Sequence, residues 1–260
     1  MVFSVFRSFR DRIKRWWSGN KDVAAGRPET EKDPVSSTEK PEIQSVNICE
    51  DDIIILVMGP PGCGKSSLIN LLRPENPAEV SGSIKVSKKP PTAHRVTLPG
   101  DPIYQSKPGR LFLVEAPNFD PFDGELQDRK TFQPLRKWLS TRGVIRAGGI
   151  LYLNEITANR WESRENECCA ILEPIFKEFL GNDFASRLVM VTTMWNDNKM
   201  EEDRKTEHEK GRQMHWKAIL AQGSHLMRVG DTSQEAIDIV NKILEQHNRG
   251  TIREVELASH

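Results

Sequence analysis

Residues Asp52 to Leu72 read D-I-I-I-L-V-M-G-P-P-G-C-G-K-S-S-L-I-N-L-L, and the rest of the chain is arranged around this stretch. Ile53 to Met58 is an unbroken apolar run rich in β-branched side chains, the pattern of a strand buried on both faces of a parallel sheet. It leads directly into Gly59-Pro60-Pro61-Gly62-Cys63-Gly64-Lys65-Ser66, which satisfies G-x-x-x-x-G-K-[ST], and Ser67 to Leu72 reads as a helix. Strand, glycine-rich loop and helix in that order are what a P-loop requires. The glycines let the backbone turn its N–H groups around an anion at the positive end of the following helix. Lys65 is expected to reach β- and γ-phosphates, and the Ser66 hydroxyl to ligate Mg²⁺. A chance glycine-rich turn is the plain alternative, and the flanking strand and helix argue against it.

The chain has 260 residues, enough for one α/β domain with tails. Acidic and basic side chains number 37 each, so no global field draws it to nucleic acid. The four cysteines, Cys49, Cys63, Cys168 and Cys169, form no C-x-x-C pair and fit a reducing compartment. No run reaches the length of a transmembrane helix, so the expectation is a soluble or surface-attached protein, cytoplasmic in location.

Residues 1–17, M-V-F-S-V-F-R-S-F-R-D-R-I-K-R-W-W, put Val2, Phe6, Phe9, Ile13 and Trp16/Trp17 on one helical stripe, with five basic side chains against a single Asp11. That is a basic amphipathic helix suited to an anionic membrane surface. Packing on its own domain or a partner, and a mitochondrial presequence, stay open as alternatives. Residues 18–48 are rich in Pro, Ser, Thr, Glu and Lys and read as a disordered linker. The folded domain is expected over 49–250, and 251–260 as a polar tail.

Within that domain the proline-rich interval from Arg73 to Pro108 is the place for a mobile loop whose threonine closes on Mg²⁺ and the γ-phosphate. Thr92 and Thr97 are both candidates, and spacing does not choose between them. Arg110 to Val114 is a second apolar strand delivering Glu115-Ala116-Pro117-Asn118-Phe119 to the sheet edge. A nucleotide switch usually carries D-x-x-G there; Glu115 stands for the acid, Asn118 for the glycine. Phe119 follows where Ras-like proteins place a water-orienting glutamine, so hydrolysis is expected to be slow. Further strands are read at 149–153 and 187–192. Helices are read at 132–141, at 162–180 with Pro174 as a kink or the start of a second segment, and at 200–221, whose charge run reads as a solvated face with His208 and His215 on the surface. A capping box, Thr232-Ser233-Gln234-Glu235, opens the last helix. Cys63, among inward N–H groups, is a candidate for a lowered thiol pKa that would let oxidation block phosphate entry, against the plainer reading of a small residue tolerated in the loop.

Thr193-Met194-Trp195-Asn196 stands where guanine-binding P-loop proteins read the base with N/T-K-x-D; Asn196 occupies the aspartate slot, Asp197 lies one residue late, and Gly223 and Ser224 are expected to offer backbone N–H groups to the base. Taken with the P-loop, the Tyr152-Leu153 strand and Ser233 to Ile237, the sequence resembles fungal G-domain proteins similar to immunity-associated (GIMAP-like) and septin-related P-loop GTPases. The resemblance implies a three-layer α/β fold with a mostly parallel sheet, GTP or GDP with Mg²⁺ as ligands, slow assembly-dependent hydrolysis, and a role as a switch or scaffold with a possible homo-oligomeric or protein partner. Two alternatives remain: a pseudo-GTPase interaction module, and an ATP-using P-loop protein, since Asn196 excludes adenine only weakly.

Overall fold

The structure is a computed structural model that describes residues 47–49, 51–75, 77–78, 90–98, 110–119, 131–144, 147–158, 167–197 and 200–258. The expected amphipathic helix 1–17 and the linker to residue 47 lie outside them. All described residues belong to the compact unit Ser45–His260.

Six strands form one sheet: β1 (Ile53–Met58), β2 (Thr92–Val96), β3 (Leu111–Glu115), β4 (Gly149–Glu155), β5 (Leu188–Thr193) and β6 (His225–Arg228). Their spatial order is β2-β3-β1-β4-β5-β6, and only β2 runs antiparallel to its neighbour. Parallel neighbours need crossovers, which the helices supply. These are α1 (Lys65–Leu71), α2 (Gln133–Ser140), α3 (Glu167–Leu180), α4 (Glu202–His215), α5 (Lys217–Leu220) and α6 (Ser233–Ala258). Pro174 sits inside a continuous α3, and α6 carries the chain in helix to Ala258, so the tail expected from residue 251 is helical over that span.

Every residue of β1 is buried, and successive side chains enter opposite cores. Ile54, Leu56 and Met58 join Phe112, Val114, Tyr152, Leu135 and Phe176 on one face. Ile53, Ile55 and Val57 join Leu113, Leu153, Leu68, Val240 and Ile243 on the other. Each such side chain contributes about 1.5–3 kcal/mol through burial. The result is a helix, sheet, helix sandwich with β1 at its centre. Because β1, β3, β4, β5 and β6 run the same way, the loops leaving them gather along one edge, where open α/β sheets bind ligands.

The capping box is present: Glu235 N donates to Thr232 Oγ1 at 3.3 Å and Thr232 N to Glu235 Oε2 at 3.3 Å. The charged helix departs from expectation. Lys205, Glu209, Arg212 and His215 of α4 are buried, and His208 is half-buried with Nδ1 3.0 Å from Ile156 O, so the charge run is not simply a solvated face. Lys205, Glu209 and Arg212 meet polar groups at or just past the ends of β5, β6 and β4, as buried charge requires.

Candidate functional site

The loop leaving β1 turns through three glycines of positive φ: Gly59 at 146°, Gly62 at 80° and Gly64 at 89°. A Cβ on Gly59 would stand 2.3 Å from Leu153 O and 2.7 Å from Cys63 Sγ, so this position admits only glycine where β1 presses on β4. The loop packs onto β5 as well, since Thr193 Oγ1 donates to Cys63 O at 2.9 Å. Pro60 and Pro61 bring no N–H; the Pro60 carbonyl instead accepts from Lys65 at 3.1 Å. Ser67 is exposed in the first turn of α1.

Lys65 is buried, and its ammonium also donates to Gly59 O at 3.1 Å and to Asn118 Oδ1 at 2.7 Å. Ser66 Oγ donates to Glu115 at 2.9 and 3.1 Å from the two carboxylate oxygens. A hydroxyl and a carboxylate at this separation are the hard oxygen pair that Mg²⁺ selects, and the longer glutamate reaches the serine directly. The loop with its Lys65 and the Ser66–Glu115 pair therefore fits a magnesium-bound phosphate chain.

The register separates the two threonines. Thr92 opens β2 opposite Glu115, at the loop edge, with Oγ1 3.4 Å from Pro90 O. Thr97 follows the other end of β2, which pairs through Val96 with Leu111 at the start of β3. The Phe119 side chain enters the core, its ring 5.0 Å from that of Phe132, and takes no part in the site.

On the β5 side, Met194 has φ 63°, an unusual conformation for a side chain without local hydrogen bonding, and its Cε lies 3.6 Å from where a Gly64 Cβ would stand. Asn196 Nδ2 donates to Asp231 Oδ2 at 2.5 Å, and Asp197 N to Met194 O at 3.2 Å. Gly223 and Ser224 require correction. They precede β6, whose direction parallel to β5 puts them at the edge opposite the P-loop, and Ser224 Oγ donates to Ile219 O at 3.0 Å. The loop at the correct edge is the one after β6: Val229 N donates to Thr192 O at 2.9 Å and Gly230 N to Glu235 Oε2 at 3.2 Å. Asp231 thus lies beside Asn196 at the P-loop edge, a neighbour that the sequence reading does not single out. The only local signal for it was the capping box directly after it.

Cys63 also departs from expectation. It is buried, and burial pushes its thiol pKa up despite the neighbouring Lys65 charge, which removes the basis for a reactive thiolate.

Trp195, part of the segment that carries the family resemblance, is clamped from three sides. Its Nε1 donates to Thr192 Oγ1 at 3.0 Å, Arg228 lies over its ring at 4.0 Å, and Lys205 donates to its carbonyl. Arg228 is paired in turn with Glu209. On the neighbouring β4 exit, Arg212 Nε donates to Asn154 Oδ1 at 2.7 Å.

Comparison of the sequence with protein-family models and with curated proteins finds no match. Solved structures are similar in fold. A dimerization-deficient mutant of Toc33 from Arabidopsis thaliana superposes with a TM-score of 0.55 and 14% identity over 77% of this chain and 86% of that one. Toc33 in complex with Mg²⁺ and GMPPNP gives 0.53 and 13% over 76% and 85%. A structure of the chloroplast translocon components atToc33 and psToc159, for which dimerization is important for GTPase activity, gives 0.51 and 13% over 76% and 83%. Sheet order, P-loop placement and these superpositions together establish that the chain has the G-domain fold of P-loop proteins.

Proposed function

We propose that the chain is a guanine-nucleotide-binding G domain, acting as a nucleotide-dependent switch or scaffold with slow intrinsic hydrolysis. The observation that carries this reading is the arrangement at one sheet edge of Lys65 in the P-loop and of Ser66 against Glu115. GTP or GDP would lie with its phosphates on the loop from Gly59 to Ser66, and Mg²⁺ would be held by Ser66, with Glu115 and Thr92 beside it. The metal would neutralise phosphate charge there. The base would face Thr193 to Asp197 and Asp231. Slow turnover follows from Phe119, whose side chain is buried and offers no group to orient an attacking water. Kinship within the superfamily with the immunity-associated and septin-related branch, of fungal type, is part of the same reading, supported by the sequence resemblance.

Titration of labelled GTP, GDP and ATP with Mg²⁺ tests it. The wild-type chain is expected to prefer guanine nucleotides, and Lys65→Ala to lose about a hundredfold in affinity, the scale of a charge-assisted contact to phosphate. Equal, weak retention by both proteins refutes it. We further propose that residues 1–17 hold the domain at an anionic membrane surface and that the domain pairs with a second copy or a protein partner, as Toc33 dimerizes. Liposome sedimentation unchanged on deleting residues 1–17 would end the first idea, and a monomer in native mass spectrometry with every nucleotide the second.

A further inference from the structure

A lysine ammonium has three N–H bonds, and three oxygens surround that of Lys65. Two are carbonyls of the loop itself, Gly59 O and Pro60 O at 3.1 Å each; the third and shortest contact is Asn118 Oδ1 at 2.7 Å. Lysine only donates, so the carbonyl end of the Asn118 amide must face it. Asn118 is fixed in place by its neighbours. Ala116 N donates to Val57 O at 3.0 Å, Phe119 N donates to Gly59 O at 3.2 Å, and the Phe119 ring is anchored in the core.

The sheet order gives this contact a direction. Asn118 flanks the P-loop on the β3 side, whereas Thr193, Met194 and the Asn196–Asp231 pair flank it on the β5–β6 side. A nucleotide whose base faces β5–β6 therefore points its last phosphate at Asn118.

We propose that Asn118 discriminates diphosphate from triphosphate, because its side-chain carbonyl holds the place on Lys65 that a terminal phosphate must take. This rests on the guanine-nucleotide reading above and adds the group that sets which nucleotide state is favoured. A diphosphate needs one N–H of Lys65 for its β-phosphate and can take it from a longer loop-carbonyl contact, leaving the shorter Lys65–Asn118 bond intact. A triphosphate must break it and turn the amide, since a carbonyl facing phosphate oxygens repels them while the Nδ2 group can donate to them. Only such a difference between the two ligands shifts the equilibrium between states. Glycine at this position would offer no competing oxygen.

The test is competition binding of Mg-GDP and Mg-GMPPNP to the full chain and to Asn118→Ala and Asn118→Asp. Asn118→Ala is expected to shift the affinity ratio about tenfold toward GMPPNP, and Asn118→Asp about tenfold toward GDP, because a carboxylate both grips Lys65 and repels phosphate. Opposite shifts in the two variants distinguish competition at Lys65 from general damage, which would weaken both ligands alike. If the wild type binds both ligands and neither variant moves the ratio, the discrimination role is overturned while the binding reading stands. If the wild type binds neither, both fall together.

Discussion

Gly59→Ala should be among the most damaging single-methyl additions to this protein. The new Cβ would meet Leu153 O at 2.3 Å and Cys63 Sγ at 2.7 Å, on a backbone at φ 146°. Leu153 cannot retreat, because β4 is hydrogen-bonded between β1 and β5. The backbone conformation alone costs about 1–3 kcal/mol in a residue with a side chain. Relieving the overlap adds about 1–3 kcal/mol. Taking about 4 kcal/mol together, and about 3 °C per kcal/mol for a domain of this size, the melting temperature should fall by about 12 °C. Gly62→Ala is the control, since its φ is 80° but nothing lies within 4 Å of its would-be Cβ. It carries the backbone cost only, about 1–2 kcal/mol or a fall of about 4 °C. Thermal melts of wild type and both variants, followed by far-UV circular dichroism, read the difference. Equal shifts for the two glycines would refute the claim that β1 and the P-loop are pressed against β4.

His94 is buried in β2 beside Arg73, whose Nη1 lies 2.9 Å from its Nδ1, and burial with that charge lowers its pKa to about 4. The unfolded chain, with histidine near 6.5, therefore takes up the proton first. Stability should be full above about pH 6.5 and fall as pH drops toward 4. His225, lowered by burial and Lys242, acts in the same direction. The decline in melting temperature over that window should shrink in His94→Leu, and an identical profile would count against a buried neutral imidazole. Asp231→Ala removes the partner of Asn196 Nδ2 and should reduce the preference for GTP over ATP by about fivefold, near 1 kcal/mol, in competition titrations. An unchanged ratio would take Asp231 out of the base site.

What could be read from sequence was what is local. The run Ile53 to Met58 carries its own burial signal, G-x-x-x-x-G-K-S its own loop geometry, and Thr232 to Glu235 its own cap, because each depends on residues within a few positions of one another. The choice between Thr92 and Thr97 depends on register with β3, which pairs Thr92 with Glu115 across the intervening loop. The Asn196–Asp231 contact spans 35 positions and exists only because β6 lies parallel beside β5. Gly223 and Ser224 fit a pattern of small residues near the right place in the chain, but strand direction sends them to the wrong edge. The placement of Cys63 shows the same limit: neighbouring amides suggested a lowered pKa, while burial, a property of the whole fold, raises it.

The charged helix α4 gives this limit a functional meaning. Hydropathy treats Lys205, Glu209 and Arg212 as solvent-facing, yet each turns inward to a polar group at or just past the end of a strand, β5, β6 and β4 respectively. Lys205 holds the Trp195 carbonyl, Glu209 holds Arg228 against the Trp195 ring, and Arg212 holds Asn154 at the exit of β4. A buried charge tolerates such a place only with partners in good geometry, and removing one partner costs far more than an exposed ion pair is worth. The network therefore fixes the backbone of Thr193 to Asn196 independently of residue 196 itself. Asparagine in the aspartate slot gives up charge, not position. The segment Thr193 to Asn196 stays preorganised, and under the guanine-nucleotide reading proposed above Asp231, brought alongside by β6, would supply a carboxylate from a second loop.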